Sequence, residues 1–207
     1  MKLLFATGNE NKYELMKRRL KEIKDVEVIM PKHINLKIKV EEDGKTAEEN
    51  AIKKAKAYYE VGKIATIAED SGLWVESFSD EDQPGLFVKR VNGREDLSDE
   101  EILNCYIEKL KKIGGKSNAR YKTGIAVIGD NGEILSKTID EELFIFTQEK
   151  NDKGYIKGGL LDTISFDPIS SKYFNELTEE EKAKRYKHLD DEIRNMIRKI
   201  KQKDFER

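Results

Sequence analysis

The sequence predicts an α/β protein, a two-lobed mixed β-sheet flanked by helices with a central groove, and three observations carry this. Through residues 3–68, short apolar runs alternate with stretches whose apolar residues recur at helical spacing, the pattern of strands joined by helices. After residue 120 the pattern changes to strand-like runs broken by Gly129-Asp130-Asn131-Gly132, a β-hairpin signal. The acids Glu69 and Asp70 directly follow a short apolar run, which puts them at the C-terminal end of a strand, on the rim where open α/β sheets bind ligands.

Each element can be justified in turn. Leu3, Leu4, Phe5 and Ala6 form a short buried strand that runs into Thr7-Gly8-Asn9, and a helix follows with Tyr13, Met16, Leu20 and Ile23 on one apolar stripe. Residues 26–30 read as a second strand. Within the polar stretch 32–45, the alternation of residues 35–40 predicts an exposed strand. Thr46 opens a helix with the capping box Thr46-Ala47-Glu48-Glu49, and Ala47, Ala51, Ala55 and Tyr58 or Tyr59 give it a small-residue face for close packing. Residues 64–68 form the strand before the acids. Residues 78–96 lack periodicity and hold Pro84-Gly85, so they read as a long surface loop. Ser98 caps the next helix, which carries Ile102, Cys105 or Tyr106, Leu110 and Ile113 and stops at Gly114-Gly115. Residues 121–128 and 133–139 make the hairpin, residues 142–147 extend its sheet, and Thr178 begins a last helix with Leu189, Ile193, Met196 or Ile197 and Ile200 on its buried side.

At 207 residues the chain suits one domain of two lobes sharing a sheet. Its 39 lysines and arginines nearly balance 41 acids, for a net charge of −2, which argues against general adhesion to nucleic acid or membrane and leaves room for a local basic pocket. A lone cysteine, Cys105, forms no internal disulfide and sits where a helix needs core filler. With no apolar run of membrane-spanning length and no signal-like segment at the start, a cytoplasmic protein is expected.

Three stretches can carry chemistry. In Thr7-Gly8-Asn9-Glu10-Asn11-Lys12, between strand and helix, Gly8 lets a phosphate approach the backbone, the helix start offers amides, and Thr7, Asn9 and Lys12 can donate to its oxygens. The same residues also fit a plain helix cap and a solvated lysine. In Glu49-Asn50-Ala51-Ile52-Lys53-Lys54, Glu49 pairs with Lys53 and Asn50 with Lys54 at i,i+4, so Glu49 either completes the capping box or turns outward to a cation. The adjacent Glu69 and Asp70 are costly to crowd without a counter-ion, for which a metal is the natural partner, although the run alone is equally a solvated acidic turn.

Taken together, these motifs resemble a known family. Thr7-Gly8-Asn9 with Lys12, Thr46-Ala47-Glu48-Glu49-Asn50-Ala51 with Lys54-Ala55, Glu69-Asp70-Ser71-Gly72-Leu73, and Pro84-Gly85 with Arg90 are similar, in order and spacing, to the inosine triphosphate pyrophosphatase (HAM1-like) family. The likeness is strong through about Gly93 and looser beyond, through Ala119-Arg120-Tyr121 and Phe166-Asp167-Pro168. It implies an ITPase-like two-lobed mixed sheet, a homodimer, and Mg2+-dependent cleavage of a nucleoside triphosphate to monophosphate and pyrophosphate. By position it implies Glu49 and Glu69 as metal ligands and Asp70 as the group that activates water. The implied substrate contacts are Thr7, Gly8, Asn9, Lys12, Lys54, Ser71, Arg90, Phe166, Asp167, Lys182, Lys187 and His188. The chemistry fits: negative oxygens shield the α-phosphorus, so a metal and lysines must offset charge before water attacks, and a nearby carboxylate can deprotonate that water.

The part expected to read the base departs from the family pattern. Ile164 stands where an aromatic would stack, Val88 replaces a serine in the loop, and Tyr186-Lys187-His188 occupies the place of a Ser-His-Arg triplet. The expected substrates are deaminated purine triphosphates such as those of inosine, deoxyinosine and xanthosine. The alternatives are the same reaction on another modified or pyrimidine triphosphate, and a weakly catalytic nucleotide-binding protein.

Overall fold

The computed structural model describes residues 1–91, 93–94, 96–155 and 159–205, with side chains through residue 202. The chain forms two compact units. The first takes Met1–Ser71, Thr123–Ile139 and the chain from His188 on; the second takes Gly72–Lys122 and Asp140–Lys187.

In the first unit the strands β1 (Lys2–Phe5), β2 (Glu27–Ile29), the first part of β3 (Thr66–Val75), the last part of β4 (Lys116–Ile128) and β5 (Ile134–Asp140) are ordered β2-β1-β3-β4, with β5 on β4. β1 is parallel to both neighbours, with Leu3 opposite Val28 and Leu4 opposite Thr66. Helices α1 (Glu10–Leu20), α2 (Ala47–Gly62) and α5 (Lys187–Phe205, in this unit from His188) complete it. Alternation along the strands makes two cores. Leu3, Phe5 and Ile67 pack with Met16 and Leu20 of α1 and with Ile193 and Ile197 of α5. Ala6, Ala68 and Ala126 instead pack with Ala51 and Ala55 of α2, the small-residue face expected of that helix.

That closeness depends on Gly124 in β4: a Cβ there would lie 2.2 Å from the Glu48 nitrogen and 2.3 Å from the Ala47 carbonyl carbon. Gly124→Ala therefore has to push the first turn of α2 off the sheet. We expect it to lower unfolding free energy in urea by about 1–3 kcal/mol, with no comparable loss for Gly154→Ala, where a Cβ meets nothing within 4 Å.

In the second unit the rest of β3 and β4 joins β6 (Phe144–Thr147), β7 (Ser165–Asp167) and β8 (Lys172–Tyr173) in the order β3-β4-β6-β7-β8, the last three pairings antiparallel. Helix α3 (Asp99–Lys112) opens with the Ser98/Glu101 capping box, and α4 (Glu179–Arg185) opens with that of Thr178 and Glu181. The core is aromatic: Phe144 touches Phe146, Phe174 and Tyr121 at ring centroid distances of 6.0, 5.0 and 5.7 Å. Arg185 is buried in it, with its guanidinium 4.3 Å from the Phe174 ring centre.

The α/β class and its mixed sheet are those expected; four local readings are corrected. β3 continues through the two acids to Val75, because Leu73 and Val75 resume the buried alternation after the charged pair. Residues 35–40 form no strand. They follow a 3-10 turn, Pro31–Ile34, and alternate half-buried Leu36, Ile38 and Val40 with exposed Lys37 and Lys39, a period of two without a hydrogen-bonded partner strand. β4 starts at Lys116, earlier than the hairpin signal indicated. The last helix is two helices, broken at Tyr186 (φ −89°, ψ 7°).

Candidate active site

Glu69 and Asp70 lie in mid-strand, so their side chains continue the alternation of Ile67 and Ala68 and leave the sheet on opposite faces. Each face treats its acid differently. On the α1 face, Glu69 lies 3.3 Å from the Lys12 ammonium and 3.5 Å from the Arg19 guanidinium. Arg19 is buried, and its Nε donates to Asp190 of α5 at 2.6 Å. Burial holds the Asp190 carboxyl above its ordinary range even though Arg19 pulls it down. Arg194 closes the group by donating to the Arg19 carbonyl and to Asp191.

On the α2 face, Asp70 accepts from the Asn50 amide at 2.9 Å and lies 3.8 Å from the Lys54 ammonium. Asn50 is 2% exposed, and its carbonyl accepts from the Gly44 N–H at 2.7 Å. That second bond fixes the orientation of the amide, so its NH2 group is directed at Asp70. Lys54 also reaches Glu42 at 3.1 Å. Glu49 is exposed at the start of α2, and its carboxylate accepts from the Lys45 N–H. Glu49 and Glu69 were expected to share an ion. In the structure one is bonded to a backbone amide and the other is compensated by two cations, and among the described residues no group of three or more His, Cys, Asp or Glu side chains is placed to hold a metal.

The loop before α1 is built as a helix cap. Asn9 accepts from the N–H groups of Asn11 and Lys12, and the Thr7 hydroxyl accepts from the Asn9 N–H. Two amides that an anion was expected to find are thus engaged by Asn9. Gly8 is exposed, and a Cβ on it would meet nothing within 4 Å, so the backbone there is open to a ligand. Ser71 follows Asp70 in β3 and is half-buried.

In the second unit, Phe166 is half-buried and meets Tyr173 edge-on at 5.4 Å. Ile164, in place of the stacking aromatic, is 0% exposed and belongs to the core. Asp167 is buried, and its oxygens accept from Arg185 at 2.8 Å and from the Ser170 N–H and hydroxyl. Arg185 also donates to the carbonyls of Glu142 and Leu143. An aspartate expected to touch substrate is thus occupied in fastening β7 to α4. Lys182 pairs with Glu179 and only partly offsets the burial that raises the carboxyl of Asp162. Arg90 is exposed with its guanidinium over the Phe87 ring. Lys187 and His188 are exposed at the start of α5, His188 within electrostatic reach of Glu192.

Asp162 allows a pH test. Desolvation raises its carboxyl from the ordinary 3.8 to about 6, outweighing Lys182. Between those values the folded chain holds a proton that the unfolded chain releases, so this group's contribution to stability falls as pH rises through the window and the full penalty stands above it. Asp162→Asn is therefore expected to stabilise the protein at pH 7.5 by on the order of 2–3 kcal/mol. Denaturation at several pH values should show the gain vanishing below pH ~4.

Sequence reasoning missed the supporting residues. Asn50 sat inside a recognised motif without a role. Arg19 follows Met16 by three positions on the buried stripe of α1, and a charge on a buried face signals a paired one.

The sequence model of the Ham1 family matches residues 3–197. A dITP/XTP pyrophosphatase of Leptospira interrogans is 34% identical over 194 residues, covering 91% of this chain and 93% of the relative. One of Aquifex aeolicus bearing the same name is 33% identical over 214 residues, covering 97% of each. Among solved structures, the Ham1 protein of Staphylococcus aureus is similar at a TM-score of 0.72 and 25% identity, covering 95% of this chain and 100% of that one.

Proposed function

Because this chain belongs to the Ham1 family, we propose that it is a nucleoside triphosphate pyrophosphohydrolase that converts deaminated purine triphosphates, those of inosine, deoxyinosine and xanthosine, to the monophosphate and pyrophosphate. The observation that carries the mechanism is Asp70, a half-buried carboxylate held by Asn50 with the Lys54 ammonium beside it. A carboxylate so fixed accepts the proton of the water that attacks the α-phosphorus. Lys54 and Lys12 hold phosphate oxygens, leaving Glu42 and Glu69, their partners without substrate. Gly8 takes the polyphosphate against its open backbone.

The metal of the reading is Mg2+. Such an ion keeps several waters and is bound by one or two carboxylates together with substrate phosphates, so it needs no three-ligand protein cage. The hard oxygens of Glu49, at the start of the helix whose Asn50 holds Asp70, fit that demand. When bound, the ion would offset charge on the phosphate oxygens. Glu69, already matched by Lys12 and Arg19, serves as the counter-ion from which Lys12 departs. A homodimer acting in the cytoplasm belongs to the same reading, and light scattering tests the dimer.

The buried Ile164 in place of an aromatic keeps a second reading in play, the same reaction on another modified or pyrimidine triphosphate. A panel of triphosphates with Mg2+ separates the two. Release of pyrophosphate from inosine or xanthosine triphosphate in preference to the common nucleotides supports the first; turnover confined to pyrimidine triphosphates supports the second. Binding of the whole panel without turnover of any member contradicts both.

A further inference from the structure

We propose that the cleft beside Thr7 and Gly8 binds inorganic pyrophosphate, gripped by Lys37 and Lys39 as it leaves the active site; the ligand's identity rests on the function proposed above. The cleft has a volume of about 610 Å³ and lies wholly within the first unit. Thr7 and Gly8 form one wall and the segment around residues 35–39 another, with Tyr58 of α2 also lining it. Tyr58 is one helical turn beyond Lys54 and two beyond Asn50, so the α2 face that serves Asp70 leads into this space.

Charge selects the ligand. The titratable residues lining the cleft are Lys32, Lys37, Lys39 and Tyr58, and no carboxylate lines it. Lys32 is paired with Glu10. Lys37 and Lys39 form no ion pair or side-chain hydrogen bond among the described residues. Leu36, Ile38 and Tyr58 add apolar surface to the walls, and a cleft with one sign of charge and low-dielectric walls concentrates the opposite ion.

Geometry suits an ion with two phosphoryl groups. Lys37 and Lys39 are both exposed, with half-buried Ile38 between them, and this period-two burial is the pattern of extended chain, in which alternate residues lie roughly 6–7 Å apart. Their backbone is anchored just before the pair and between its members: the Leu36 N–H donates to the Pro31 carbonyl at 2.9 Å, and the Tyr58 hydroxyl reaches the Ile38 carbonyl at 3.5 Å. The volume leaves room for a hydrated magnesium complex of the ion. Because Thr7 and Gly8 belong to both places, pyrophosphate in the cleft competes with an incoming triphosphate.

The test is calorimetric titration of the full chain with magnesium pyrophosphate, alongside its inhibition of triphosphate hydrolysis. The double variant Lys37→Gln, Lys39→Gln should weaken pyrophosphate binding and raise its inhibition constant about tenfold or more, the scale of two lost charge-assisted contacts. Lys21→Gln, Lys56→Gln, which removes the same charge from exposed positions elsewhere in the unit, should change neither. Equal pyrophosphate affinity in the Lys37/Lys39 variant and the parent overturns the site, and so does an equal loss in the control. An enzyme that hydrolyses triphosphates while its pyrophosphate affinity ignores Lys37 and Lys39 fails this inference alone. Lysine-dependent pyrophosphate binding in a protein that cleaves no triphosphate keeps the site and fails the proposed function.

Discussion

Asp70→Asn is expected to lower kcat by about 10²–10⁴-fold, the usual worth of a positioned general base, while triphosphate binding measured by titration stays close to that of the parent. The substitution is nearly isosteric, and its remaining carbonyl can still accept from Asn50, whose own orientation is fixed from behind by Gly44. What disappears is the basic oxygen and one negative charge beside Lys54. Removing that charge frees Lys54 for phosphate, so affinity for the polyanion has no reason to fall. Asn50→Ala acts on the same carboxylate from the other side. It leaves the chemical group in place but loose, so its loss in kcat should be smaller than that of Asp70→Asn. Near-parental turnover by Asp70→Asn would remove Asp70 from the mechanism.

The largest effect on the fold of the first unit is expected from Arg19→Met. Arg19 touches Glu69 of β3 and Asp190 of α5, and all three side chains are largely buried, at 5%, 9% and 16% exposed. Removing the cation leaves two carboxylates in poor solvent, with the half-buried Lys12 beside Glu69 and Arg194 acting on Asp190 at longer range. Breaking a buried pair in this way costs about 3–5 kcal/mol, which urea denaturation reads directly. Kinetics distinguish a mere loss of stability from the counter-ion role. With Arg19 gone, Lys12 is left as the ion-pair partner of Glu69 among the described residues, and releasing it to phosphate grows costlier, so KM should rise more than kcat falls. Arg19→Lys keeps the charge without the planar fork and should restore KM more fully than stability.

How far this arrangement could be read in the sequence follows from what each residue's neighbours in the chain disclose. The helix caps at Thr46 and Ser98 and the apolar stripe of α1 depend on residues three or four positions apart. The stripe, the Ser98/Glu101 box and the Thr46 cap stand as expected, while Glu49 accepts from the Lys45 N–H instead of closing a box with Thr46. The end of β3 differs from expectation, because two charges in a row read as a strand terminus while the strand runs on to Val75. A strand that separates two differently charged faces carries such a pair without ending, and only the partners of Glu69 and Asp70 reveal that. The break at Tyr186 has no glycine or proline to announce it. Motif order disclosed Lys54 and Asp70, which do meet, but not that Asp167 is saturated by Arg185 and Ser170. Those contacts join residues far apart along the chain or across a tight turn, where sequence spacing is silent.

The central claim, water attack at the α-phosphorus assisted from Asp70, is tested most directly by the fate of the solvent oxygen. Hydrolysis of inosine triphosphate in 18O-enriched water with Mg2+, followed by mass spectrometry of both products, should place one labelled oxygen in inosine monophosphate and none in pyrophosphate. Label in the pyrophosphate, or release of orthophosphate in its place, would contradict the account.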